Sequence, residues 1–168
     1  IITGACRAED DPAWAASGAE SPAEYALWAD HLCGVACLRM ALAARGITPP
    51  RARELARILT RYGAYVEQPD GFIRGLIYAP AITWLAEAHA IPAEIILDRE
   101  AQDIPALLAD GGVFMASVHP AIRRPAEPAP GKGGHLVLVF GAGDGALRLH
   151  NPSGHDPASQ CDARVAIA

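Results

Sequence analysis

Apolar positions in the first half of the chain recur every three to four residues, whereas beyond Ala93 they alternate or run on continuously, so helices are expected first and strands later. Ser21, Pro22 and Glu24 form a capping-box pattern with proline at the first helical position, which predicts a helix stopping near Asp30 and His31. Val35, Leu38 and Leu42 lie on one stripe of a stronger helix over 34–45, with Gly46 as its stop signal and Cys33 at its N-terminal end. Leu55, Ile58, Leu59 and Tyr62 mark a third helix that follows Pro49 and Pro50 and closes at Gly63. Mixed signals around Pro69, Asp70 and Gly71 predict an ordered excursion over 64–78. Pro80 then opens a helix carrying Ile82, Leu85 and Ala86, whose apolar stripe His89 continues as a core or rim residue.

Past Ala93 the pattern predicts a strand over 94–97, a helix over 104–109 and a strand over 113–118. A proline-rich loop with Arg123, Arg124 and Lys132 follows to Gly134, long enough for a binding or lid role as well as for a tolerated insertion. The strands 135–140 and 146–150 make a hairpin around Gly141, Gly143, Asp144 and Gly145. Centred on Gly143, that hairpin sets His135 opposite Asn151; a two-residue Asp144-Gly145 turn sets His135 opposite Gly154 and turns Asn151 to the other face. The first register, or a bulge near Gly143 that restores it, is expected because only it gives His135 an orienting partner. The resulting fold class is α+β, with the Cys33 helix packed on a C-terminal antiparallel sheet. Residues 1–20 read as a loosely ordered arm and 21–168 as one domain, in which 165–168 looks like an element cut short.

Composition narrows the function. At 168 residues and 51% hydrophobic the chain can bury a real core, but with 6% aromatics that core is built mainly from aliphatic side chains. A net charge of -5 leaves no electrostatic footprint for nucleic acid. No apolar run approaches a membrane span and the start lacks the order of a signal peptide, so a soluble, cytoplasmic protein is expected. Four cysteines are too few for a disulfide scaffold, and free thiols are expected.

Cys33 stands out among them. A thiol attacks as thiolate, and a helix N-terminus brings unpaired N–H groups and the positive end of the macrodipole to the sulfur. A histidine beside it completes the activation. Gly34 is expected to leave room for substrate, and Cys37, one turn on, to be a small core residue. The main rival on residue type is a zinc site from Cys33, Cys37 and two histidines, but no second Cys-x-x-Cys or His-x₃-His pair accompanies them. Among the other histidines, His119 follows a strand, His150 points to the face opposite Asn151 and His155 lies in a turn.

The run Cys33-Gly34-Val35-Ala36-Cys37-Leu38-Arg39-Met40 resembles the bacteriocin-processing, or double-glycine leader, peptidases of the papain-like superfamily, in which a Cys-Gly-x-Ala-Cys-Leu-x-Met string opens the central helix. Gly134-His135 and the strand after it, ending at Asn151-Pro152, is similar to that family's catalytic histidine and the Asp-Pro about sixteen residues beyond it. The resemblance spans Glu24 to Pro152. It implies a papain-like cysteine peptidase without cofactor, acting on a peptide, with Cys33 as nucleophile, His135 as base and Asn151 orienting the ring. Asparagine here replaces the family's aspartate. The family's oxyanion-hole glutamine falls at Leu27, which cannot donate, and Trp28 or His31 is expected to stand in. Those two departures are also what a catalytically degenerate peptide-binding module of the same fold would carry.

Overall fold

A computed structural model of the chain describes residues 6–109, 111–124 and 129–167. The helices come first, as their apolar stripes predict. α1 (Pro22–Ala29) is capped by Ser21, whose hydroxyl accepts the Glu24 N–H at 3.1 Å. α2 (Cys33–Ala44) and α3 (Ala52–Arg61) follow. The excursion that comes next holds a small antiparallel pair, β1 (Val66–Glu67) with β2 (Ile73–Arg74). α4 (Tyr78–His89) starts two residues before Pro80.

The second half contains α5 (Ile104–Leu107), β3 (Phe114–Val118), β4 (His135–Gly143), β5 (Ala146–His150), α6 (Pro157–Gln160) and β6 (Ala163–Ala166). The four strands β3 to β6 form one sheet in chain order, each antiparallel to its neighbour. The class is therefore α+β with two antiparallel sheets.

α2 is the hub of the packing. Val35, Leu38 and Leu42 face Leu55, Leu59, Trp84 and Leu85 of the other helices, while Cys37 faces Leu136 and Leu138 of β4. On the far side of the sheet Val137 and Val139 pack with Leu147, Leu149 and Ile104. β4 is thus buried on both faces, which is why residues 136–140 read as a continuous apolar run. Each fully buried Leu or Val of this set contributes roughly 1.5–3 kcal/mol. A polar cluster joins α1 to α3: Glu24 pairs with Arg53 at 2.8 Å and with Arg57 at 2.9 Å, and the Arg53 guanidinium lies 3.8 Å above the Trp28 ring.

Four expectations change. Residues 6–20 are not a loose arm: they make 3₁₀ turns at Ala8–Asp10 and Trp14–Ser17, held by the Tyr25 hydroxyl donating to Asp11 at 2.6 Å and by Arg57 donating to the Gly18 carbonyl at 3.2 Å. Residues 1–5 lie outside the described residues. Residues 94–97 are not a strand; they are unpaired, and Leu97 is 72% exposed. The helix expected over 104–109 is a single turn. Among the described residues no single helix is long and apolar enough to cross a membrane.

The fourth change is the hairpin register. Asp144 and Gly145 (φ 52° and 70°) form the two-residue turn, so Gly143 pairs with Ala146 rather than standing at the centre. A bulge between Val139 and Gly141 then shifts the offset by one residue, so that Val139 pairs with Leu149 and Leu138 with His150. Carried one step further, this offset sets Asn151 across from Val137 and one diagonal from His135. The bulge restores the face but not the direct opposition, and it sits at Phe140 rather than Gly143.

Candidate active site

Several elements converge on one cavity of about 370 Å³, whose walls include Cys33, Ala36 and Arg39 from α2, His135 from the start of β4, and Arg123, Pro152 and Ser153 from two loops. Cys33 is the first residue of α2, and its N-cap Leu32 supplies no side-chain cap. The end of the helix is instead held by Tyr65 from the excursion. Its buried hydroxyl donates to the His31 carbonyl at 3.2 Å and lies within reach of the Val35 N–H. Burial pushes the Tyr65 phenol well above its ordinary pKa, with the nearby Cys33 adding to the shift, so it stays protonated as that donor.

Gly34 has a different purpose from the one expected. It is buried, and a Cβ there would stand 2.8 Å from the Cβ of Leu76. A Cβ on Gly75 would run into the Tyr65 ring. Both glycines allow the excursion to close against the N-terminal end of α2, so Gly34 is set by packing and not by room for a ligand.

His135 is 3% exposed and Asn151 1%. Their side chains meet at 2.8 Å, His135 Nε2 to Asn151 Oδ1. The amide cannot be turned over without loss: Oδ1 also accepts the Ser153 N–H at 3.3 Å, and Nδ2 donates to the Ile122 carbonyl at 3.4 Å. With Oδ1 fixed as an acceptor, Nε2 must carry the proton, and Nδ1 is left as the basic nitrogen of the neutral ring. Burial lowers the His135 pKa, the Asn151 hydrogen bond opposes this, and the charge of Arg123 lowers it further. The ring therefore stays neutral, and a base, to a lower pH than an ordinary histidine.

The surroundings of Cys37 make it unsuited to nucleophilic attack. It is fully buried, its thiol donates to the Leu136 carbonyl at 3.6 Å, and burial, followed by the proximity of Cys33, raises its pKa far above the usual thiol range. The other histidines have their own places. His119 Nδ1 accepts the Ala121 N–H at 3.1 Å, His150 stacks on Phe140 with centroids 4.5 Å apart, and His89 meets Trp84 edge-on at 5.0 Å. Among the described residues no group of three or more His, Cys, Asp or Glu side chains could hold a metal ion.

Neither expected oxyanion-hole donor lines the cavity. Trp28 is buried in the helical core between Arg53 and Tyr65, and the His31 ring meets Phe72 edge-on at 5.8 Å. Side-chain donors in the cavity wall with N–H or O–H groups to spare include those of Arg39, Arg123, Ser17 and Ser153, and among the described residues the backbone N–H of Cys33 has no acceptor. The sequence pointed to Arg123 only as part of a loop long enough for a binding or lid role, and to Ser153 not at all. Both are joined to the cavity by a short 3₁₀ turn, Pro120–Arg123, that docks on the loop after β5: Arg123 Nε donates to Ser153 Oγ at 2.8 Å and the Arg123 carbonyl accepts the His155 N–H at 3.4 Å. No family model matches this chain, and no curated protein or solved structure is significantly similar to it.

Proposed function

We propose that the chain is a papain-like cysteine peptidase, or a closely related acyl-transfer enzyme, that opens a peptide or amide bond through a thioester on Cys33. The observation that carries this reading is His135, its tautomer fixed by the buried Asn151 behind it, in the wall of a cavity that also holds a helix N-terminal cysteine. His135 Nδ1 takes the Cys33 proton as sulfur attacks the carbonyl carbon, and the oxyanion is met by the Cys33 N–H and a cavity donor. Nδ1 returns the proton to the departing amine, leaving an acyl-thioester. Water, deprotonated by the same nitrogen, then releases the acid and restores the thiol. The four described cysteines are all free thiols, which suits a reducing compartment such as the cytoplasm.

One observation favours the second reading, a catalytically degenerate peptide-binding module: Leu27 occupies the glutamine position of the family it resembles and is half exposed. Incubating a defined peptide mixture with the protein and with Cys33→Ala separates the two. New peptide termini, found by mass spectrometry only with the unaltered protein, are expected. Peptides retained by both proteins and cut by neither would establish the binding module.

A further inference from the structure

Two guanidiniums, those of Arg39 and Arg123, line the cavity shared by Cys33 and His135. Each is tethered through Nε, Arg39 to the Pro50 carbonyl and Arg123 to Ser153 Oγ, both at 2.8 Å. Neither takes part in an ion pair among the described residues. The two carboxylates of the cavity do not neutralise them. Asp11 accepts from the Tyr25 hydroxyl at 2.6 Å and from the Ala13 N–H at 2.8 Å, and Asp30 is exposed.

A guanidinium held by its Nε keeps the opposite edge free, a planar fork of N–H donors that fits a carboxylate in bidentate fashion. Arg123 is the better placed of the two. Its tether, Ser153, is the residue whose N–H fixes the Asn151 amide, so one loop sets both the histidine and the fork. Arg123 is half-buried, which strengthens a charge-assisted contact over one made in open water.

We propose that Arg123 is a specificity residue that receives a carboxylate of the peptide substrate beside the bond Cys33 attacks. The substrate class is then a peptide with an acidic side chain, or a free C-terminal carboxylate, at that subsite. The proposal rests on the peptidase reading of the same site. It also links recognition to chemistry: the charge of Arg123 opposes protonation of His135, and a bound carboxylate would offset it as the ring takes up the Cys33 proton.

Iodoacetate and iodoacetamide test this without turnover. In both reactions the Cys33 thiolate attacks the methylene carbon and iodide leaves; only the first reagent carries a carboxylate. The ratio of the two rates at Cys33, read by mass spectrometry of the labelled peptide, cancels any change in the thiolate itself. Arg123→Gln should lower the iodoacetate-to-iodoacetamide ratio about tenfold, the loss expected for one charge-assisted contact. Arg123→Lys should keep part of it, and Arg99→Gln, which removes the same charge outside the cavity, should leave it unchanged. A ratio unaffected by Arg123→Gln overturns the proposal. Failure of the peptidase reading looks different: iodoacetamide would then modify Cys33 no faster than the exposed Cys161. Protection of Cys33 from iodoacetamide by N-acetyl-diglycine marks a C-terminal carboxylate as the ligand, and protection by a glutamate-containing peptide amide marks a side chain. Equal protection by their amide and glutamine counterparts contradicts both.

Discussion

Cys33→Ala is expected to lower peptide cleavage by at least about 10³-fold with the fold intact, because it removes the proposed nucleophile of a chemical unit whose members act together. The residue is partly exposed at the cavity wall, so losing one sulfur there creates no closed void. Cys37→Ala should do the reverse. Its sulfur is fully buried between α2 and β4 and its thiol donates to the Leu136 carbonyl, so its loss should cost about 1–2 kcal/mol of stability and spare cleavage. Steady-state cleavage rates and denaturant unfolding of the two variants separate these roles. An essential Cys37 beside a dispensable Cys33 would overturn the assignment of the nucleophile.

Asn151→Ala carries the second large effect, and it acts on both stability and rate. The amide satisfies three groups at once, His135 Nε2–H, the Ser153 N–H and the Ile122 carbonyl, in a site where Asn151 itself is 1% exposed. Leaving buried partners unsatisfied costs about 1–3 kcal/mol, and a ring free to change tautomer should lower kcat/KM by about 10²-fold or more. Asn151→Asp, the residue of the resembling family, is informative beside it. A carboxylate keeps the partner of His135 but offers the Ile122 carbonyl no donor, so activity should recover more than stability. Equal losses in the two variants would mean that Asn151 serves the loop alone.

The sequence made the helical half legible because its signals are local. Ser21, Pro22 and Glu24 mark the start of α1, and the stripe of Val35, Leu38 and Leu42 marks α2, in each case within two residues of the observed element. Cys33, His135 and Asn151 were legible as a set through the resemblance carried by the Cys33–Met40 run and by Gly134-His135 with Asn151-Pro152, and the structure brings His135 against Asn151 and places Cys33 with His135 in one cavity. What it hid depends on tertiary contacts. Residues 94–97 have the composition of a strand, but pairing is decided by neighbours that the chain alone does not specify. The bulge at Phe140 has no composition of its own, so the strict arithmetic of the hairpin missed it. Tyr65, Arg123 and Ser153 act through side chains from loops, where no period marks them.

The central claim is that His135, kept neutral by burial and oriented by Asn151, activates Cys33. It predicts a definite response to pH. Burial lowers the folded His135 pKa, so the ring stays neutral and basic to a lower pH than an ordinary histidine. Stability changes with the same sign: unfolded chains take up a proton first, and folding stability is lost between the ordinary histidine pKa and the lowered one. The direct measurement is the rate of Cys33 alkylation by iodoacetamide between about pH 4 and 9, in the protein and in His135→Ala, with a free cysteine near pKa 8.5 as the reference. The account predicts rapid labelling of Cys33 that persists below the usual histidine pKa and, in His135→Ala, collapses to the slow rise of an ordinary thiol. Superimposable profiles for the two proteins would contradict it.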